Sequence, residues 1–288
     1  NYSWNLQLAY KFAALAKSRN PKLVTIFGGP NFPTSEEEKL TFLQSKPAID
    51  FYVELEGELG FVDVLQKLIQ YDFDVDTLKA SEAVAINTNY VFNNELINGP
   101  CERIIDVNQI PSPYLNGVMD QFFEDSLIPM IETTRGCPFS CSFCHEGTNY
   151  FSKIAFQGLD RVKAEIEYIA QHMIRCSPNV FHLEIADSNF AMYPQDLNIC
   201  EYIRELQDQY QWPRTIGCST GKNQPERILN AVSMLKPDTL SVTNSMQSTN
   251  QDTLDAIKRS NISLDGYKKV QTAIYKRGLR SLADVILG

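Results

Sequence analysis

Glu132-Thr133-Thr134-Arg135-Gly136-Cys137-Pro138-Phe139-Ser140-Cys141-Ser142-Phe143-Cys144 is the stretch on which the reading of this chain turns. Its three cysteines, spaced Cys-x3-Cys-x2-Cys, follow directly on an apolar run, Leu127-Ile128-Pro129-Met130-Ile131. The run predicts a buried strand, which puts the cysteines on the loop leaving its C-terminal end. Thiolates grouped this tightly either hold metal or pair as disulfides. Pairing leaves one of the three over, and nothing else in the sequence points to an oxidising compartment. A structural zinc site wants four ligands, commonly as two separated Cys-x2-Cys pairs, and His145 is too close to Cys144 to be an easy fourth. Iron–sulfur ligation fits better. A four-iron cubane held by three protein thiolates keeps one iron open, and an open metal position is where a substrate or cofactor binds.

The rest of the composition bounds the answer. The chain has 288 residues, room for two domains or one large α/β unit, with 43% hydrophobic and 21% charged residues, as in ordinary globular proteins. A formal charge of −9 argues against a sequence-independent nucleic-acid binder, which needs a basic face. No apolar stretch reaches the ~18 residues of a membrane span, and no signal peptide is visible. The first residue is Asn1 and the sequence ends on an apolar strand, 283–288, so a fragment is expected. Cys101, Cys176, Cys200 and Cys218 are scattered singly and read as buried, reduced thiols, which suits a cytoplasmic location. The three histidines form no metal set, and no Ser-His-Asp order or phosphate loop emerges.

Before the cysteine loop the elements alternate. Asn5 to Ser18 predicts a helix buried through Leu8, Phe12 and Leu15. Strand Leu23–Phe27 follows, stopped by Gly28-Gly29-Pro30. A second helix starts at Ser35-Glu36-Glu37-Glu38, where acidic residues suit the N-terminus. Strand Ile49–Glu54 then leads through Glu56-Gly57-Glu58 into a helix with Phe61, Leu65 and Leu68 on its apolar side. Alternation with short connections predicts a parallel sheet whose ligands bind at the carboxyl ends of its strands, where both glycine turns sit. Residues 81–126 form a connector: short strands at Val84–Ile86, Tyr90–Phe92 and Glu95–Ile97, a turn at Asn93-Asn94, then the extended linker Ile110-Pro111-Ser112-Pro113-Tyr114.

After the loop, strand and helix repeat. Helix Asp160–Met173 buries Val162, Ile166, Ile169 and Met173, and strand Val180–Ile185 follows. A helix through Ile199, Ile203, Leu206 and Tyr210 comes next, then strand Arg214–Cys218. A helix beginning at Pro225 buries Ile228, Val232 and Leu235. Strand Thr239–Thr243, helix Gln251–Arg259 and a Ser263-capped helix ending before Gly278 complete the series. Five β/α units predict part of a (β/α) barrel, with functional groups at the C-terminal strand ends. One such end carries Asp187, Ser188 and Asn189, and another carries Asn244, Ser245, Met246, Gln247 and Ser248. Lys258 and Arg259 read as a solvated helix end favourable to the dipole.

Arg-Gly-Cys-Pro-Phe-Ser-Cys-Ser-Phe-Cys, including the aromatic residue before the last cysteine, resembles the cluster motif of radical S-adenosylmethionine (radical SAM) enzymes. Tyr2-Ser3-Trp4-Asn5, the Gly28-Gly29 turn and the Glu56-Gly57-Glu58 turn resemble the cobalamin-binding domain that precedes the core in one large subfamily. That subfamily often carries Gly-Glu-Gly-Glu where this chain has Leu55-Glu56-Gly57-Glu58. The Pro-Ser-Pro-Tyr segment and the Asp-x-Asn-Phe at 187–190 resemble the same subfamily, and Gln247-Ser248 and Lys258-Arg259 resemble pairs that the family carries.

The resemblance implies a partial doubly wound cobalamin-binding-type domain (1–80), the connector (81–126) and a truncated radical SAM barrel (127–288). It implies a [4Fe–4S] cluster on Cys137, Cys141 and Cys144, whose open iron binds S-adenosylmethionine. Phe143, Asp187, Asn189, Ser245 and Gln247 would contact that cofactor. Ser3, Trp4, Gly28, Gly29, Glu56, Gly57 and Glu58 would hold cobalamin, provided that half a domain binds it. The implied activity is reductive cleavage of S-adenosylmethionine to a 5′-deoxyadenosyl radical, serving methylation of an unactivated carbon in a small-molecule or natural-product substrate. An electron donor such as flavodoxin or ferredoxin is implied as partner. Two alternatives stay open: a radical SAM enzyme with a vestigial cobalamin domain and other radical chemistry, and a non-catalytic iron–sulfur carrier or zinc scaffold.

Overall fold

The computed structural model describes residues 2–221, 223–243, 245–261 and 263–283. They divide into two compact units, Asn1–Ile105 and Asp106–Gly288. Among the described residues no helix is long and apolar enough to cross a membrane.

The first unit runs α1 (Leu6–Arg19), β1 (Ile26–Gly28), α2 (Glu36–Gln44), β2 (Phe51–Val53), α3 (Gly57–Gln70), α4 (Val75–Ala80), β3 (Thr88–Phe92) and β4 (Glu95–Asn98). Its sheet has the order β1-β2-β3-β4, with β1 and β2 parallel and the later pairs antiparallel. The strands expected in the connector thus complete this first sheet, although Val84–Ile86 forms none. Asn93 and Asn94 make the β3–β4 turn at φ 48° and 64°, a backbone that their short polar side chains tolerate.

The helix phases differ from expectation. Leu8, Phe12 and Leu15 of α1 are exposed, and the buried side is Leu6 and Ala13, with Ala9 and Tyr10 packed beside them. In α3, Phe61 is exposed and the buried stripe is Gly60, Val64 and Leu68. Small residues set both phases, because they let a helix approach the sheet closely. A Cβ on Gly60 would stand 2.5 Å from Val53 Cγ1 and 2.9 Å from the Ile86 carbonyl oxygen.

The second unit runs β5 (Met130–Ile131), β6 (Thr134–Arg135), β7 (Ala155–Phe156), α5 (Leu159–Cys176), β8 (His182–Ile185), α6 (Pro194–Tyr210), β9 (Thr215–Gly217), α7 (Pro225–Met234), β10 (Val242–Thr243), α8 (Gln251–Ala256), α9 (Leu264–Lys276) and β11 (Ser281–Leu282). Strands β5, β8 and β9 are parallel neighbours, and a parallel bridge from Ile216 to Leu240 leads on to the parallel pair β10 and β11. The parallel strands alternate with helices in an open α/β arrangement, part of a barrel rather than a closed one. Its core joins Val162, Ile166, Ile169 and Met173 of α5 to Leu183 and Ile185 of β8 and to Ile199 and Ile203 of α6. The strand expected over 283–288 lies, apart from Ala283, outside the described residues.

One expectation for this unit is corrected. Leu127, Ile128 and Met130 are exposed, and of the apolar run only Ile131 is buried among these four, because among the described residues β5 has one strand neighbour, β8. The linker Ile110–Tyr114 is anchored at its end. Tyr114 is buried, and its hydroxyl accepts from the Met130 N–H and donates to the Met130 carbonyl at 3.0 and 2.9 Å. The segment is fastened to β5, the strand that leads to the cysteines.

Candidate cluster and cofactor site

The cysteine loop leaves β6, and β7 closes it by pairing antiparallel with β6. Gly136 opens it at φ 106°, a backbone in the region that favours glycine. The Cys137 N–H donates to the Phe151 carbonyl at 2.9 Å, the Cys144 N–H to Cys141 at 3.1 Å and the Gly147 N–H to Cys144 at 3.0 Å. A Cβ on Gly147 would fall 2.1 Å from the Cys141 carbonyl oxygen, so the loop closes only over glycine. The Ser142 N–H donates to the Ile257 carbonyl at 3.0 Å, fixing the loop to the C-terminal end of α8.

On this frame Cys137 and Cys141 are buried, while Cys144 and Phe143 face outward. None of the seven cysteines forms a disulfide; Cys101 and Cys176, expected to be buried, are exposed. Among the described residues no three His, Cys, Asp or Glu side chains converge tightly enough to hold a single metal ion. Three thiols on one loop are donors of the type that iron–sulfur clusters use.

The end of β8 supplies the floor. Asp187 is 3% exposed and accepts from the Thr133 N–H at 2.7 Å and from the Thr133 hydroxyl. Burial pushes its carboxyl up to about 6, with the Thr133 bonds acting the other way. Its acceptors thus serve the backbone and hydroxyl of Thr133, latching the end of β8 to the segment after β5. The Ser188 hydroxyl donates to the Glu146 carboxylate. Asn189 is 3% exposed; its Nδ2–H donates to the Cys137 sulfur at 3.3 Å, and its Oδ1 is buried without a partner. Asn189 is therefore brought to the cysteine loop, and Asp187 to the segment that leads into it.

The fourth strand end places Ser245 and Gln247 half-buried, while Asn244 lies outside the described residues. Arg259 departs most from expectation. It is 5% exposed rather than solvated; its Nη2 donates to the Ser245 carbonyl and its Nε to Asn261 Oδ1 at 2.7 Å, while Nη1 is buried without a partner. A guanidinium in that state calls for an anion. Asp196 and Tyr193 were missed outright. Asp196 is fully buried in the first turn of α6, accepts from the Tyr193 N–H at 2.9 Å, and burial pushes its carboxyl up to about 7, with the charge of Asp187 adding to the effect. The one available signal was its place three residues after Tyr193, just before an apolar run.

In the first unit, Gly28 and Val53 are register partners on β1 and β2, so the Gly28-Gly29 and Glu56-Gly57-Glu58 turns lie at neighbouring strand ends. Gly29 turns at φ 101°, its carbonyl accepting from the Tyr52 hydroxyl at 3.0 Å, and Phe32 stacks on Tyr52 at 3.9 Å. A groove of about 680 Å³ begins at Pro30 and passes Phe32, Thr34, Glu37 and Phe42. Gly57 is open, with nothing within 4 Å of a Cβ, and Glu58 is exposed. Glu56 is buried, and its Oε2 accepts from the Ile104 N–H. Ser3 and Trp4 are exposed ahead of α1, with Trp4 stacked on Tyr2.

The fold and the site define an α/β protein whose second unit presents a three-cysteine loop beside the ends of parallel strands. No family model matches the chain. It is 32% identical, over its whole length, to the cobalamin-dependent radical SAM methyltransferase TokK of Streptomyces tokunonensis, of which it spans 41%. It is 31% identical, again over its whole length, to 41% of a 2-(S-pantetheinyl)-carbapenam-3-carboxylate methyltransferase of Streptantibioticus cattleyicolor. The fold is shared with the cobalamin-dependent S-adenosylmethionine radical enzyme OxsB, solved with aqua-cobalamin and S-adenosylmethionine bound (TM-score 0.69, 15% identity, 98% of this chain and 39% of that one). It is also shared with the radical S-adenosylmethionine methyltransferase TsrM from Kitasatospora setae (TM-score 0.66, 12% identity, 97% of this chain and 52% of that one). The chain is a homologue of cobalamin-dependent radical SAM methyltransferases and spans about 41% of the length of the curated relatives it matches.

Proposed function

We propose that the chain carries the cluster-bearing and cofactor-binding part of a cobalamin-dependent radical SAM methyltransferase acting on a small molecule. Cys137, Cys141 and Cys144 hold a [4Fe–4S] cluster, and S-adenosylmethionine binds at its open iron. Together the cofactors supply radical generation and methyl transfer to an unactivated carbon. The observation that carries this reading is the locked loop with two buried thiols, beside the buried Asn189 Oδ1 and Arg259 Nη1, which have no partner among the described residues.

The residues have separable tasks. Arg259 Nη1 holds the carboxylate of S-adenosylmethionine, and Asn189 Oδ1 accepts from its amino group. Phe143 offers its exposed ring to the adenine, and Ser245 and Gln247 line the ribose side. Asp187 acts through Thr133 and positions the loop rather than touching the cofactor. Gly28 and Gly29 let the nucleotide tail of cobalamin approach the backbone, Gly57 and Glu58 meet the corrin edge, and Ser3 and Trp4 flank it. The carboxylate of Glu56 contributes by fixing that turn. The electron comes from a low-potential donor such as flavodoxin or ferredoxin, and free thiols with an oxygen-sensitive cluster suit the reducing cytoplasm.

Anaerobic reconstitution with iron and sulfide tests the reading. The expected result is a reducible [4Fe–4S] signal, lost in the triple Cys137→Ala, Cys141→Ala, Cys144→Ala variant, with 5′-deoxyadenosine formed from S-adenosylmethionine under reduction. Persistence of the signal in the triple variant overturns the ligand assignment. A second reading, radical chemistry without cobalamin, is favoured by the burial of Glu56 and the use of its carboxylate within the protein. Binding of hydroxocobalamin separates the two.

A further inference from the structure

We infer that the side-chain amide of Asn189 is a positioning residue that sets the reduction potential of the cluster, by donating a hydrogen bond to the thiolate of Cys137. The inference rests on the cluster assignment proposed above and adds a task that the assignment does not require.

The geometry is specific. Asn189 Nδ2 lies 3.3 Å from Cys137 Sγ, across 52 residues of sequence, and both groups are buried. The Cys137 N–H is already committed to the Phe151 carbonyl, so the sulfur takes this donor from a distant segment instead. That segment is held on both sides. Asp187 is latched to Thr133, Ser188 to Glu146, and the Phe190 N–H donates to the Ser219 carbonyl at 2.9 Å. The carboxamide therefore has little freedom to move away from the sulfur.

The orientation of the amide follows from the chemistry of the acceptor. A ligating cysteine is a thiolate and has no hydrogen to give. An amide turned the other way would aim oxygen lone pairs at that sulfur and leave two N–H groups buried without acceptors, which is costly. With N–H toward sulfur, the contact draws negative charge from the thiolate. Reduction by one electron makes the cluster more negative, so such a donor favours the reduced state and raises the midpoint. The water-poor surroundings strengthen the effect.

The test uses the full chain, reconstituted with iron and sulfide and titrated against dithionite with mediators, the reduced cluster being read by electron paramagnetic resonance. Asn189→Leu keeps the volume and removes the donor; Asn189→Asp replaces it with an acceptor. Both are expected to retain iron and sulfide while the midpoint moves to more negative values. A tenfold fall in the reduced-to-oxidised ratio at fixed poise corresponds to about 59 mV for a one-electron couple. A fully loaded Asn189→Leu cluster with an unshifted midpoint overturns the inference and leaves the cluster assignment intact. Failure of the unmodified chain to assemble any cluster overturns both. Should the variants not load, the unmodified chain labelled with 15N-asparagine gives a second readout. A 15N hyperfine coupling between the reduced cluster and a side-chain nitrogen, replaced by the 14N pattern in unlabelled protein, supports the contact, and its absence overturns it.

Discussion

Asp196→Asn is the sharpest test of how the floor of the site is built. The carboxyl is fully buried, and one oxygen accepts from the Tyr193 N–H at 2.9 Å. Burial raises it from 3.8 to about 7. A raised acid binds its proton more tightly in the folded protein. Its contribution is therefore neutral below about pH 4, erodes stability as pH climbs towards 7, and is a constant penalty above that. Roughly three pKa units at 1.36 kcal/mol each give a full penalty of about 4 kcal/mol, of which roughly 2–3 kcal/mol develops between pH 5 and pH 8. For a unit of this size that is roughly 5–10 °C in Tm. Asparagine keeps an acceptor for Tyr193 and cannot ionise. Differential scanning calorimetry of the cluster-free protein from pH 5 to pH 8 should therefore show the variant gaining on the unmodified chain by that amount. Asp187, also raised by burial, is present in both proteins and cancels to first order. A Tm difference that stays constant across the series refutes the reasoning.

Arg259→Met should leave cluster loading intact and weaken S-adenosylmethionine binding by roughly tenfold to a hundredfold, the worth of a hydrogen bond to a charged group, as read by equilibrium binding. Gly147→Ala should cut the iron content of the reconstituted protein sharply, because the methyl group falls 2.1 Å from the Cys141 carbonyl oxygen; iron and sulfide analysis measures it. Gly60→Ala should destabilise the first unit by about 1–3 kcal/mol in urea unfolding, through collision with Val53 and Ile86.

The sequence was most legible where chemistry compresses into a short span. The cysteine spacing, the β/α alternation and the buried face of α5 could be read locally, because each depends on neighbours within a few residues. Helix phase in α1 and α3 could not. There the larger apolar residues marked one stripe, and the sheet selected the other through Ala9, Ala13 and Gly60, whose value lies in how little space they take. Arg259 looked like a solvated terminus because nothing in the local pattern announces that the Ser245 carbonyl, 14 residues back, folds over it. The contact between Asn189 and Cys137 likewise joins segments that only the tertiary fold makes neighbours. The exposed Leu127 and Ile128 show the converse failure, since an apolar run does not reveal that its strand has one neighbour rather than two.

The fastening of the cysteine loop has a consequence for synthesis. A nascent chain that has emerged as far as Cys144 already offers all three sulfurs, yet it lacks Asp187 and Asn189, and it lacks Ile257, to which Ser142 is tied from more than a hundred residues away. Metal delivered at that moment would meet loose thiols with no enclosure around them. On the proposed cluster assignment, the enclosure around these thiols is complete only once α8 is in place, so delivery of iron to the finished fold is the expected order.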